Sequence, residues 1–167
     1  MDPRIVPAQP RIRPATGSDF GELQALYRFL HVAGDPEISA VEAKRRYADI
    51  LGRPEQTIYI AEAAGKAIGT YALIFIPGLT HGARDSAIVE DVVVSPDQRN
   101  NGIGKRMMAD AMERCRQRGC YKLVLSSHLQ RPDAHRFYER LGFSKHGFSF
   151  LIGAFDTGPA APHGASQ

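Results

Sequence analysis

Apolar positions along this chain change period from about 3.6 to 2 and back several times, and those changes mark out its elements. Phe20, Leu23, Leu26, Tyr27 and Leu30 recur at helical spacing behind Asp19, a residue suited to an N-cap, which predicts a helix to about His31. Ser39 followed three residues later by Glu42 reads as a capping box. It opens a second helix through Val41, Ala43, Tyr47 and Ile50, and Gly52 stops it after Leu51. Ahead of both helices, residues 11–13 suit a short strand. The β-rich runs 57–63 and 67–76 flank Gly65 and Lys66, the pattern of a hairpin, and a loop over 77–85 follows.

Residues 86–94 form an apolar run broken only by Glu90 and Asp91, which reads as a central strand carrying something unusual. A helix from Gly102 presents Ile103, Met107, Met108, Ala111, Met112 and Cys115 on one face and stops at Gly119. Residues 122–126 suit a short buried strand. Pro132 then opens a helix with Ala134, Phe137, Tyr138 and Leu141 inward, ended by Gly142. A strand, a crossover helix and a second strand imply parallel pairing, whereas the hairpin upstream is antiparallel. The predicted architecture is therefore one α/β domain over 11–152, a mixed β-sheet flanked by helices, between Pro- and Gly-rich tails at 1–10 and 153–167.

Composition narrows the class. At 167 residues, with 43% hydrophobic and 23% charged, the chain can bury a core without metals or disulfides. A balance of 21 basic against 18 acidic residues is too mild for a polyanion-binding surface, so no nucleic-acid partner is expected. No signal-like stretch and no run of roughly 20 apolar residues stands out, which predicts a cytoplasmic protein without a membrane partner. Cys115 and Cys120, five apart, fit neither a disulfide framework nor a zinc motif and are expected as reduced thiols. The six histidines, at 31, 81, 128, 135, 146 and 163, form no convincing metal pair, and no metal is expected.

Candidate chemistry begins at Gln98-Arg99-Asn100-Asn101-Gly102-Ile103-Gly104-Lys105, where flexible residues open a helix and several backbone N–H groups can face one anion. A Walker A loop would need Gly at 99 and Ser or Thr at 106, and both positions hold Arg. The dinucleotide fingerprint would need Gly or Ala at Met107. What remains is Arg-x-x-Gly-x-Gly after a strand ending Val92-Val93-Val94-Ser95-Pro96, followed downstream by Phe137-Tyr138-Glu139-Arg140-Leu141-Gly142-Phe143. In these two ordered motifs the chain resembles the GNAT superfamily of N-acetyltransferases. Within that superfamily, Cys120-Tyr121-Lys122 is similar to glucosamine-6-phosphate N-acetyltransferases, and Asp133-Ala134-His135-Arg136-Phe137-Tyr138 to aminoalkylphosphonate N-acetyltransferases.

The resemblance implies a sheet whose central parallel strands splay apart, with acetyl-CoA as co-substrate and an amine, of a small molecule, as acceptor in a ternary complex. It places the CoA pyrophosphate on Arg99, Asn100, Asn101, Gly102, Ile103, Gly104 and Lys105, and the pantetheine arm on Val92, Val93 and Val94. An amine at neutral pH is mostly protonated, so attack needs a proton acceptor. Glu90 is the first candidate, sharing a face with Ile88, Val92 and Val94 if alternation is unbroken, while a bulge would bring Asp91 forward. Tyr138 is the candidate to contact CoA and protonate the departing thiolate. Relatives often carry Asn three residues before Ala134, where this chain has Arg131. The first two helices and the loop 77–85 are expected to contact the amine, with Tyr27, Arg28, His31, His81 and Arg84 as candidates. Analogy also suggests a homodimer. Acetylation of a protein amine and a non-catalytic CoA-binding sensor are the alternatives.

Overall fold

Ala64 and Gly65 both take positive φ, 50° and 73°, the two-residue turn whose twist matches that of paired strands. They join β2 (Gln56–Ala63) to β3 (Lys66–Ile76) in a computed structural model that describes residues 10–30 and 37–150. The sheet runs in sequence order from β1 (Arg11–Pro14) through β2 and β3 to β4 (Ser86–Val94) and β5 (Lys122–Leu125). Its first three junctions are antiparallel and the last is parallel. The parallel step is made by α3 (Ile103–Gln117), which crosses from the end of β4 to the start of β5. The mixed sheet and the two β-α units agree with the pattern of apolar periods.

Helices cover both faces. On one, Tyr59, Tyr71, Leu73, Ala87 and Val89 pack against Ile103, Met107, Met108, Ala111 and Cys115 of α3. On the other, Ile58, Ile60 and Ala72 meet Leu23 of α1 (Phe20–Tyr27) and Tyr47 of α2 (Ala40–Leu51). Each fully buried Leu, Ile or Met contributes about 1.5–3 kcal/mol. Gly69 permits the tight seat of α3, because a Cβ there would lie 2.9 Å from Met107 Sδ and 3.1 Å from the Val93 carbonyl oxygen. At the far end of α3, Gly119 takes φ 73° and the Cys120 N–H reaches the Cys115 carbonyl at 3.0 Å, the six-to-one bond of a Schellman stop. The last helix, α4 (Pro132–Arg140), begins at Pro132 and is followed by Gly142 at φ 94°.

Several expectations are revised. Asp19 does not cap α1: its carboxylate is taken by Arg13, at 2.7 and 2.8 Å, and by the Thr16 N–H and hydroxyl. A buried charge-assisted pair outcompetes a local cap. Helix α1 ends at Tyr27 and a turn follows, with the proposed end near His31 outside the described residues. Ser39 does cap α2, accepting from the Glu42 N–H at 3.2 Å, but the Glu42 carboxylate turns to Arg45 instead of returning to the cap. Met112, expected inward, is 38% exposed at the margin of the α3 face. The tails at 1–10 and 153–167 lie outside the described residues, Pro10 excepted. Among the described residues no helix is long and apolar enough to cross a membrane.

Candidate active site

The Glu90-Asp91 interruption coincides with a β-bulge. Thr70 stands opposite Val93 and Ala72 opposite Glu90, so two steps along β3 are matched by three along β4. The extra residue is absorbed at Asp91, whose φ of 53° lies in the left-handed region that Asp tolerates better than most residues. The bulge exchanges the faces of the strand. Ala87 and Val89 point to α3 before it, and Val92 and Val94 point there after it. Unbroken alternation had grouped Glu90 with Val92 and Val94. The pairing with Ala72 instead turns Glu90 toward the α1 and α2 side.

A second irregularity adjoins the first. β4 pairs with β5 from Ser86↔Lys122 to Val89↔Leu125 and no further. β5 itself ends at Leu125, so residues 90–94 continue past its end with no strand partner on that side among the described residues. The gap forms a cavity of about 220 Å³. Its walls are Val89 to Val92 from β4, Leu125 to Ser127 from the end of β5, Arg131 and Tyr138 around α4, and Leu30. Within it the Ser127 Oγ is buried and has no hydrogen-bond partner among the described residues.

The cavity perturbs its ionisable groups. Burial pushes the Glu90 carboxyl above the usual carboxylate range, and the nearby Asp91 charge pushes it further. Burial also raises Asp91. The Tyr138 phenol is raised by burial, against an opposing pull from Arg131 and with a smaller push from Glu90. Tyr138 packs edge-on with Phe137 and Phe143, ring centroids 5.1 and 5.8 Å apart, which fixes its direction into the cavity. Asp91 instead acts on Tyr27, whose phenol is raised by burial and by that charge while it hydrogen-bonds Thr70. The two acidic neighbours thus serve different partners, and Glu90 is the one electrostatically coupled to Tyr138.

The glycine turn follows directly from β4. Arg99 Nε donates to the Val94 carbonyl at 3.3 Å, Asn100 takes φ 64° and Gly102 φ 77°, and α3 begins at Ile103. The Arg106 N–H makes the first helical bond, to Gly102 O at 3.0 Å. The N–H groups of Ile103, Gly104 and Lys105 therefore have no acceptor within the helix. The two glycines have separate reasons: Gly102 supplies the left-handed turn, and Gly104 makes room for α4, since a Cβ would sit 3.1 Å from Phe137 Cζ. The Ile103 side chain is core, so only its backbone is available to a ligand. Asn101 and Lys105 are exposed at the turn. Of the three valines, Val92 lines the cavity and Val93 is buried opposite Thr70, while Val94 packs toward the α3 core.

Other candidates lie elsewhere. The loop 77–85 closes the opposite end of the parallel pair: the Tyr121 N–H bonds Asp85 O at 2.9 Å and the His81 ring stacks on Tyr121 at 4.1 Å. Glu90 lies four residues beyond Ser86, about 13 Å along the strand, so the structure does not bring His81 and Arg84 to the cavity. His31 is outside the described residues, and Arg28 is exposed. His128 and His135 secure the loop before α4, His135 Nε2 lying 3.0 Å from His128 O and His128 Nδ1 accepting from the Gln130 N–H. Among the described residues no cluster of three or more His, Cys, Asp or Glu could hold a metal ion. Ser127 and Leu30 were not singled out in the sequence, because nothing local distinguishes a cavity-lining Ser or Leu from a loop residue.

Comparison with known proteins agrees with this geometry. The model of the acetyltransferase (GNAT) family matches residues 22–143. A glucosamine 6-phosphate N-acetyltransferase of Trypanosoma brucei brucei is 36% identical over 122 residues, covering 70% of this chain and 78% of that one. An aminoalkylphosphonate N-acetyltransferase of Salmonella typhimurium is 39% identical over 104 residues, 62% of this chain and 67% of the relative. The crystal structure of glucosamine-6-phosphate N-acetyltransferase from Arabidopsis thaliana superposes with a TM-score of 0.74 at 25% identity, covering 87% of this chain and 98% of that one.

Proposed function

The chain belongs to the GNAT acetyltransferase family, and we propose that it moves an acetyl group from acetyl-CoA to the primary amine of a small molecule by direct attack in a ternary complex. The observation that carries this reading is that Glu90 and Tyr138 line one cavity where the β4–β5 pairing stops. The N–H groups at the start of α3, with Arg99 and Lys105 beside them, suit the CoA pyrophosphate. The unpaired edge of 90–94 suits the amide groups of the pantetheine arm, which brings the thioester to Glu90.

Glu90 takes a proton from the amine, and its raised pKa makes it a better acceptor near neutrality than a solvated carboxylate. As nitrogen bonds to the acetyl carbon, a free backbone N–H at the bulge donates to the acetyl oxygen, where negative charge develops. Tyr138 hydrogen-bonds the sulfur as the carbon–sulfur bond breaks and supplies its proton. Relatives named for glucosamine 6-phosphate and aminoalkylphosphonates favour a small acceptor. Retention of both Glu90 and Tyr138 in the cavity favours catalysis over a CoA sensor.

The test is a melting curve with and without acetyl-CoA, then thiol release against a panel of small amines. A melting shift with release for at least one amine supports the enzyme. A shift without release on any amine points to a sensor, and no shift removes the CoA reading.

A further inference from the structure

We propose that Cys115 and Cys120 form a redox-sensitive clasp, in which a disulfide between them, formed by exchange with a small-molecule disulfide, locks the junction of α3 with β5. Both thiols are free in the structure. Cys115 is the third residue from the end of α3, and Cys120 is the second beyond its Arg118 C-cap. The Cys120 N–H bonds Cys115 O at 3.0 Å and the Gly119 N–H bonds Arg116 O at 3.1 Å, which is the full pair of bonds of a Schellman stop. That motif brings the side chains of its two end positions together, commonly as an apolar contact. Here both end positions are cysteines. Cys115 is buried in the core, Cys120 packs against the same cluster, and the Cys115 S–H donates to the Cys120 sulfur. A disulfide needs α-carbons roughly 4.4–6.8 Å apart, a span that a six-to-one backbone bond favours.

The surroundings set the order in which the two thiols react. Cys115 is 6% exposed and burial pushes its thiol up to about 12, so it is a poor first nucleophile. Cys120 is half-buried, and its thiol is raised by burial and by Asp85 while Cys115 and Arg118 pull the other way. Arg118 is itself held by Asp85 at 2.8 Å. Cys120 therefore opens the exchange. Its thiolate attacks one sulfur of oxidised glutathione and expels the other as a thiolate. Cys115 then attacks the Cys120 sulfur of the mixed disulfide and expels the second glutathione. Two electrons pass from the protein to the small disulfide, and the two thiol protons leave with it as two molecules of reduced glutathione. The closed loop is the segment 115–120, so the clasp governs how readily the crossover from α3 to β5 opens.

The test exposes the full chain to oxidised glutathione at about pH 8.5, near the ordinary thiol pKa, then quenches with acid and alkylates in denaturant. Intact mass should show a monomer lighter by two hydrogens with no thiol left to alkylate, and dithiothreitol should reverse the change. The oxidised protein should melt about 5 °C above the reduced one, the gain expected when a short loop is closed in a fold that already holds its ends together. Cys115→Ala should instead keep one glutathione on Cys120, and Cys120→Ser should neither lose two hydrogens nor gain in melting temperature.

A wild type that stays reduced, keeps a glutathione adduct or links into dimers overturns the clasp, since the stop is then an ordinary packing contact. A disulfide that forms but melts no higher than the reduced protein overturns it as well. Should Cys115→Ala fail to fold, Cys120→Ser compared with the wild type carries the test, because Cys120 is only partly buried.

Discussion

Val89 is opposite Leu125 and is the last residue of β4 to pair with β5, so the pairing stops one residue before Glu90. A carboxylate at that point has a wall of strand behind it and a cavity in front. Its elevated proton affinity follows from position more than from any one neighbour, since burial is the larger cause.

Glu90→Gln should lower kcat/KM by about 10²–10⁴-fold at pH 7 and by less at pH 9, where more of the amine is already neutral. Asp91→Asn should have a smaller effect, because Asp91 acts on Tyr27 and Asn also accepts the left-handed φ of 53°. Steady-state rates at the two pH values decide this. Equal losses at both would remove Glu90 as the base.

The same carboxyls make stability depend on pH in a definite direction. A carboxyl raised in the folded state binds its proton more tightly there, so the stability it adds is present in acid and lost as pH rises through the folded pKa. At neutral pH both ionised groups therefore oppose folding. Glu90→Gln and Asp91→Asn should each melt above the wild type at pH 7, with the gap closing toward about pH 4. Melting curves across that range with no ligand present are the measurement.

Beneath the sheet, the Tyr71 hydroxyl donates to Asp110 at 2.5 Å, and Arg114 holds the same carboxylate at 2.6 Å while lying 4.0 Å over the Tyr59 ring. Tyr71 is 0% exposed, so Asp110→Ala strands its hydroxyl and should cost about 1–3 kcal/mol in urea unfolding. Tyr71→Phe removes the donor together with its need and should cost less. Asp110→Ala in that background should then lose less than it does alone.

Gly102→Ala should destabilise by about 1–2 kcal/mol, since φ 77° is a left-handed conformation that a Cβ disfavours. It should also shrink the melting shift with acetyl-CoA by disturbing the amides at the start of α3. Gly104→Ala acts through contact instead. Its Cβ meets the Phe137 ring at 3.1 Å, and Phe137→Leu should recover part of the loss.

Much of the architecture was legible along the chain because its causes are local. Gly65 signalled the hairpin, although the turn is Ala64-Gly65 and Lys66, read as part of the turn, already begins β3; Gly119 and Gly142 stop their helices, and Pro132 starts one. Asp19 and Met112 were misread because their partners are not local. Arg13 captures the first, and the edge of a packed face exposes the second. The candidate site divides the same way. The glycine turn and the Phe137-Tyr138 motif were visible, whereas the placement of loop 77–85 and the Ser127 hydroxyl, buried without a partner among the described residues, were not.

The sequence by itself determined the order of elements, the mixed character of the sheet, the glycine turn at the start of α3 and the family to which these belong. Only the tertiary structure decided which way Glu90 points, where the β4–β5 pairing stops, and that Arg131 and Tyr138 share a cavity with the acidic pair. The reason is physical: helix stops and tight turns are set by the φ preferences of a few adjacent residues. A bulge or the point where strand pairing stops depends on how many residues of a distant strand stand opposite, and hydrophobic alternation reads the same whichever partner is there.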